Sequence, residues 1–162
     1  MLIINHYKRP YAVIVVSGEK LRATPGVISK FVKPISDENI NIHGLSTGEN
    51  SFSIYISEED FEKVTNKLMK LPLNQHCNIS VRKGLGMVSI KGPEIIDRPG
   101  LLYNLIDPIA KKKINIEGIT SSYDSTVLFF EFDKSKEAYE LLCKRVKKLP
   151  DFFEKKPKRK KR

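Results

Sequence analysis

The chain repeats itself. Residues 21–44, LRATPGVISKFVKPISDENINIHG, align without gaps on residues 95–118, IIDRPGLLYNLIDPIAKKKINIEG, at an offset of 74. Pro25-Gly26, Pro34-Ile35, Ile40-Asn41-Ile42 and Gly44 fall on Pro99-Gly100, Pro108-Ile109, Ile114-Asn115-Ile116 and Gly118. A repeat of that period in 162 residues means two modules of about 70 to 75 residues rather than one domain of ordinary size. Modules so small bury little core singly, so they are expected to pack on one another or on a second copy.

Each copy reads as strand, helix, strand, strand, helix, strand. In the first, YAVIVVSG (11–18) is a β-branched run ending at glycine, the pattern of a buried strand. From Pro25 onward Val27, Ile28, Phe31, Val32 and Ile35 recur at helical spacing, with Thr24 as expected N-cap and Pro25 at the first helical position. Pro34 and Pro108 each remove one backbone hydrogen bond, so both helices are expected to end early. INIHGLSTG and SFSIYIS form a hairpin, SEEDFEKVTNKLMKLP a second helix capped by Ser57, and HCNISVRKG a closing strand. The second copy offers GMVSIKG, a helix over 99–112, the hairpin INIEGITSS and STVLFFEF, and the helix KSKEAYELLCKRVKKL. Its last strand is hard to find, because only DFFE precedes a basic tail, whereas LIIN at the N-terminus is a strand with no role in copy one. The expected organisation is therefore an N-terminal strand in 1–10 that completes the second module, module one over 11–83, module two over 84–152, and a disordered tail over 153–162. The fold class is α+β: two ferredoxin-like βαββαβ modules with antiparallel sheets and both helices on one face.

Composition narrows the function classes. Apolar residues make up 40% and charged residues 30%, and no apolar run approaches the roughly 18 residues of a membrane span. The opening lacks the pattern of a signal peptide, so no membrane and a cytoplasmic location are expected. Cys77 and Cys143 are expected as reduced, buried thiols, and His6, His43 and His76 lie in different elements, so no metal or other cofactor is expected. KKPKRKKR (155–162) carries seven basic side chains, and without them the net charge of +10 falls to +3. Such a block self-repels, and it is suited to weak, salt-sensitive nucleic-acid contact through the tail.

Residues 16–64 resemble the ACT domains in the regulatory region of aspartokinases, with GEKLRATPGV, then INI, then a Ser/Thr turn before SFSIYI. Residues 92–122, GPEIIDRPGLLYNLIDPIAKKKINIEGITSS, resemble a second copy, and DRPG matches the commonest form of the family's first loop. The resemblance implies a sensor that binds a small amino acid, threonine or lysine above all, where two ACT modules meet. It also implies a homodimer and a separate partner enzyme of amino-acid biosynthesis. The 162 residues contain no glycine-rich phosphate loop, no Walker-type lysine and no coincident nucleophile, base and orienting group, so the chain is expected not to be an enzyme.

The loop before each first helix suits an α-amino acid, because Gly26 or Gly100 lets a ligand approach the backbone and the helix N-terminus offers N–H groups to a carboxylate. Asp97 could take the ammonium, within the loop Asp97, Arg98, Pro99, Gly100 and Leu101; in copy one Thr24 and Gly26 remain, but Ala23 replaces the acid. By carry-over from the family, Asn41, Ile42, Ser46 and Thr47, with Asn115, Ile116, Ser121 and Ser122, supply the facing strand. Pro-Gly is also ordinary turn chemistry, and Asp97 could simply brace its loop. A nucleic-acid-associated dimer that uses the basic tail is the alternative reading.

Overall fold

The computed structural model describes residues 2–19, 21, 24–72 and 77–149, with backbone alone for Ile96 and Asp97. The basic tail, residues 151–154, Ala23 and His76 lie outside the described residues. Among the described residues, six strands and five helices follow in chain order: β1 (Ile3–Ser17), α1 (Val27–Asp37), β2 (Gly44–Thr47), β3 (Ser51–Ser57), α2 (Phe61–Leu68), β4 (Asn78–Lys91), α3 (Glu94–Asp97), α4 (Leu101–Lys111), β5 (Gly118–Ser121), β6 (Ser125–Glu131) and α5 (Phe132–Lys147).

One antiparallel sheet runs through both repeats, in the order β2-β3-β1-β4-β6-β5. Its spine is the ribbon of β1 and β4, paired from Ile3 opposite Lys91 to Ser17 opposite Asn78. The register slips between Tyr7 and Tyr11, where Pro10 has no N–H to give the ladder, and this break divides β1 into two working halves. The second half of β1 joins β3, while β6 joins only the second half of β4. The half-strand Ile3–Tyr7 lies beside Met87–Lys91, in the place where the second repeat would carry its fourth strand.

Alternation along the strands separates three cores. Ala12, Ile14, Val16, Phe52, Ile54 and Ile56 face Phe31 and Ile35 of α1 and Val64 and Leu68 of α2. Leu2, Val88, Ile90, Leu128 and Phe130 face Leu101, Leu105 and Ile109 of α4 and Ala138 and Leu142 of α5. The helix-free side curls on itself, so that Tyr11, Val13 and Tyr55 of the first repeat pack on Leu85, Met87 and Phe129 of the second.

Local details depart from the sequence reading. The first helix starts at Val27 rather than Pro25: Gly26 precedes it in the left-handed region (φ 77°), and the Thr24 carbonyl accepts the Val27 N–H at 3.3 Å, with no side-chain cap. Proline does not stop the helices, since α1 and α4 run three residues beyond Pro34 and Pro108. Both end in a Schellman arrangement: Ile40 and Ile114 donate to the carbonyls of Ile35 and Ile109 at 3.2 Å, past left-handed Asn39 and Lys113 (φ 57° each). Ser57 makes no cap hydrogen bond; it is buried, and a 3₁₀ turn over Glu58–Asp60 leads into α2. Helix α3 has no counterpart in the sequence reading.

Candidate ligand-binding clefts

Gly26 and Gly100 stand at equivalent places with nearly the same torsions, φ 77° and 81°. A left-handed residue there turns the chain abruptly into the helix without a Cβ penalty, and at Gly26 an added Cβ would meet nothing within 4 Å. Lys30 and Asn104 donate back to the carbonyls of Gly26 and Gly100, at 3.2 and 3.1 Å. Helix geometry leaves the N–H groups of the first turn without an i−4 carbonyl, and these sit at the positive end of the helix dipole.

A cleft opens at each of these two ends. The first, about 520 Å³, is lined by Leu21, Val27 and Ile28 on one side and by Thr47, Glu49 and Phe52 of the facing hairpin on the other. The second, about 230 Å³, is lined by Ile95, Arg98, Gly100, Leu101 and Leu102, with Thr126 facing them. At the offset of 74, Leu21, Val27, Ile28 and Phe52 correspond to Ile95, Leu101, Leu102 and Thr126, so the clefts are copies of one feature. They differ in charge: a carboxylate, Glu49, borders the first and a guanidinium, Arg98, the second. Both offer apolar walls for an aliphatic side chain and polar groups at the rim.

The sequence-derived residues divide between locations. Thr47 lines the first cleft, and Thr24 and Gly26 lie in the turn that leads into its wall residue Val27; Arg98, Gly100 and Leu101 line the second, where the Ser121 hydroxyl lies 3.2 Å from that of Thr126. Pro99 belongs to the same turn, and Ser122 bonds within the hairpin tip to Ser125. Asn41 and Ile42 are elsewhere: they line a third cleft of about 380 Å³ beyond the C-terminal end of α1, with Val32, Ser36 and Asn39. Asn115 donates from Nδ2 to Glu117 Oε1 at 2.9 Å, and Ile116 packs on the second core. Ser46 turns to the helix-free face, the side on which Tyr55 is buried, and burial is the chief cause that pushes the Tyr55 hydroxyl pKa up. Asp97 closes α3 by its backbone; its side chain lies outside the described residues.

One polar pair escaped the sequence reading. Asn104 is 1% exposed on the core face of α4, and its Nδ2 donates to the Gly100 carbonyl at 2.8 Å. Arg145 of α5 donates from Nε to the Asn104 carbonyl and from Nη2 to its Oδ1, both at 2.9 Å. The signal was present: an amide at an apolar position of the helical repeat must find partners when buried.

Residues 14–70 match the ACT domain family. This segment is an ACT domain. The second module repeats its elements at a fixed offset and is ACT-like in fold. No curated protein matches the chain. Among solved structures, the chain is similar to the aspartokinase alpha and beta subunits (20% identity, TM-score 0.75, 89% of this chain and 97% of that one). It is also similar to the ligand-free regulatory subunit of aspartate kinase from Thermus thermophilus (14% identity, TM-score 0.72, 88% and 95%). E. coli aspartokinase III in complex with lysine and aspartate is 13% identical, with a TM-score of 0.68, and 90% of this chain covers 32% of that one. The tandem ACT arrangement of aspartokinase regulatory regions is therefore the fold of this chain. No helix among the described residues is long and apolar enough to cross a membrane.

Proposed function

We propose that this chain is an amino-acid sensor without chemistry of its own, which binds a free amino acid at the clefts beside α1 and α4 and regulates a separate cytoplasmic enzyme of amino-acid biosynthesis. The observation that carries the reading is the pairing of a left-handed glycine with a helix N-terminus at the mouth of a cleft, present in both ACT modules. A ligand carboxylate placed on the first-turn N–H groups gains charge-assisted hydrogen bonds of about 1.5 to 3 kcal/mol each, and the helix dipole adds about 0.3 to 1 kcal/mol. The aliphatic walls take the side chain. The E. coli neighbour's complex with lysine and aspartate supports amino acids as the ligand class, with threonine and lysine the first to test.

The same reading includes a homodimer. Leu45 and Ile119 occupy equivalent places on the two edge strands and remain 37% and 38% exposed, so a second copy that covers these edges buries them and satisfies their unpaired backbone groups. Thermal-shift measurements with each of the twenty amino acids test the sensor. A ligand at a hundred times its dissociation constant adds about 2.7 kcal/mol, a rise of roughly 5 to 10 °C for a chain of this size. A flat response to all twenty removes the reading.

A further inference from the structure

The two clefts are copies, but among the described residues only the second is braced from a distance. Arg145 sits near the end of α5 and grips both oxygens of Asn104, the main-chain carbonyl and Oδ1, at 2.9 Å each. With Oδ1 engaged, the Asn104 amide is fixed in one orientation, and its Nδ2 reaches the Gly100 carbonyl at 2.8 Å. Gly100, Arg98 and Leu101 line the second cleft. The first module has no such chain, because residue 30, the counterpart of Asn104, is lysine, and residue 71, the counterpart of Arg145, is leucine.

We infer that Arg145 and Asn104 are positioning residues for the second cleft. They hold the Arg98–Leu101 turn in the geometry that presents the α4 N-terminus, and they connect that turn to the C-terminal end of α5. Neither side chain needs to touch the ligand. Holding the carbonyl of a left-handed residue fixes the peptide plane ahead of Leu101, and with it the direction in which the first-turn N–H groups point. The inference rests on the sensor reading for its functional consequence, but the brace itself can be tested without a ligand.

Asn104→Asp separates the links, because the carboxylate still accepts from Arg145 but has no N–H for Gly100. Arg145→Gln removes the grip from the other end. In full-length protein, amide hydrogen exchange at Leu101 and at residue 104, whose N–H groups donate to the Arg98 and Gly100 carbonyls, is expected to accelerate at least tenfold in both variants, with α5 retaining its protection in Asn104→Asp. Unchanged exchange in that turn overturns the inference, whatever the chain binds. Calorimetry with L-threonine and L-lysine supplies the second arm. Where the wild-type chain binds either one at the second cleft, Asn104→Asp is expected to weaken it about tenfold with little change in melting temperature. Equal affinity with a loosened turn overturns the positioning role and leaves the sensor reading intact. If the wild-type chain binds neither, the sensor reading suffers, and the exchange result alone decides the brace.

Discussion

Tyr55 and Phe129 hold the same place in the two repeats and stack on each other, with ring centroids 3.8 Å apart and planes 8° from parallel. Each lies on the helix-free face of its own module, so the contact joins the modules through the residue that duplication placed twice. Truncating either ring to alanine is expected to cost about 3 to 5 kcal/mol. The double-mutant cycle should return a coupling of about 0.5 to 1.5 kcal/mol by urea denaturation. Strictly additive losses would mean that the modules fold without using this contact.

Gly118 exists to admit Tyr55. A Cβ at residue 118 would stand 2.0 Å from the Tyr55 hydroxyl oxygen and 2.8 Å from the ring carbon that bears it, whereas at the equivalent Gly44 its nearest neighbour would be Thr120 Cγ2 at 3.2 Å. Gly118→Ala is therefore expected to lose about 1 to 3 kcal/mol, and Gly44→Ala distinctly less. Equal melting temperatures for the two variants would contradict this ordering.

Glu38 follows α1 and accepts hydrogen bonds from Lys63 and Lys67 of α2 at 2.7 and 2.6 Å, which pushes its pKa down to about 2 from an ordinary 4.5. A depressed carboxylate contributes stability that is fully present above the unfolded value and is lost as pH falls towards the folded one. The stability advantage of the wild-type chain over Glu38→Gln should thus be constant above about pH 5 and fade between pH 4.5 and 2. Concentrated salt should shrink it too, because the Lys63 and Lys67 side chains are half exposed to solvent. A difference independent of pH across that window would remove the ion pairs from the explanation.

The half-strand Ile3–Tyr7 serves the second module, where it pairs with β4, while Leu2 enters the second core and His6 Nε2 lies 3.0 Å from Ser135 Oγ of α5. Deleting residues 1–8 should raise amide exchange across Met87–Lys91 and β6 while leaving the pairing of β3 with Tyr11–Ser17 protected. Uniform acceleration through both modules would show that they unfold as one unit.

Repetition made much of this legible in advance. The period placed two copies, helical spacing placed α1 and α4, β-branched runs placed β1, β3 and β6, and the paired glycines marked both turns. Non-local geometry stayed hidden. Nothing in IINHY announces that its partner is MVSIK, 80 or more residues later; only the missing last strand hinted at it. Thr24 and Ser57 fit a cap pattern, but the left-handed glycine and the burial of Ser57 decided otherwise. Pro34 and Pro108 lie near enough to the helix ends that losing one hydrogen bond does not outweigh the packing of Ile35 and Ile109. The site residues parted for a similar reason. Asn41 and Thr47 are six apart in sequence, but an extended strand carries them to opposite ends of α1.

The most direct test of the sensor reading is a titration of isotopically labelled full-length protein with L-threonine and, separately, L-lysine, followed by amide chemical shifts. The expected result is saturable movement confined to residues 24–30 and 46–52, to residues 98–104 and 121–126, or to both sets. Saturable shifts centred elsewhere, or none at millimolar amino acid, would contradict binding at these clefts.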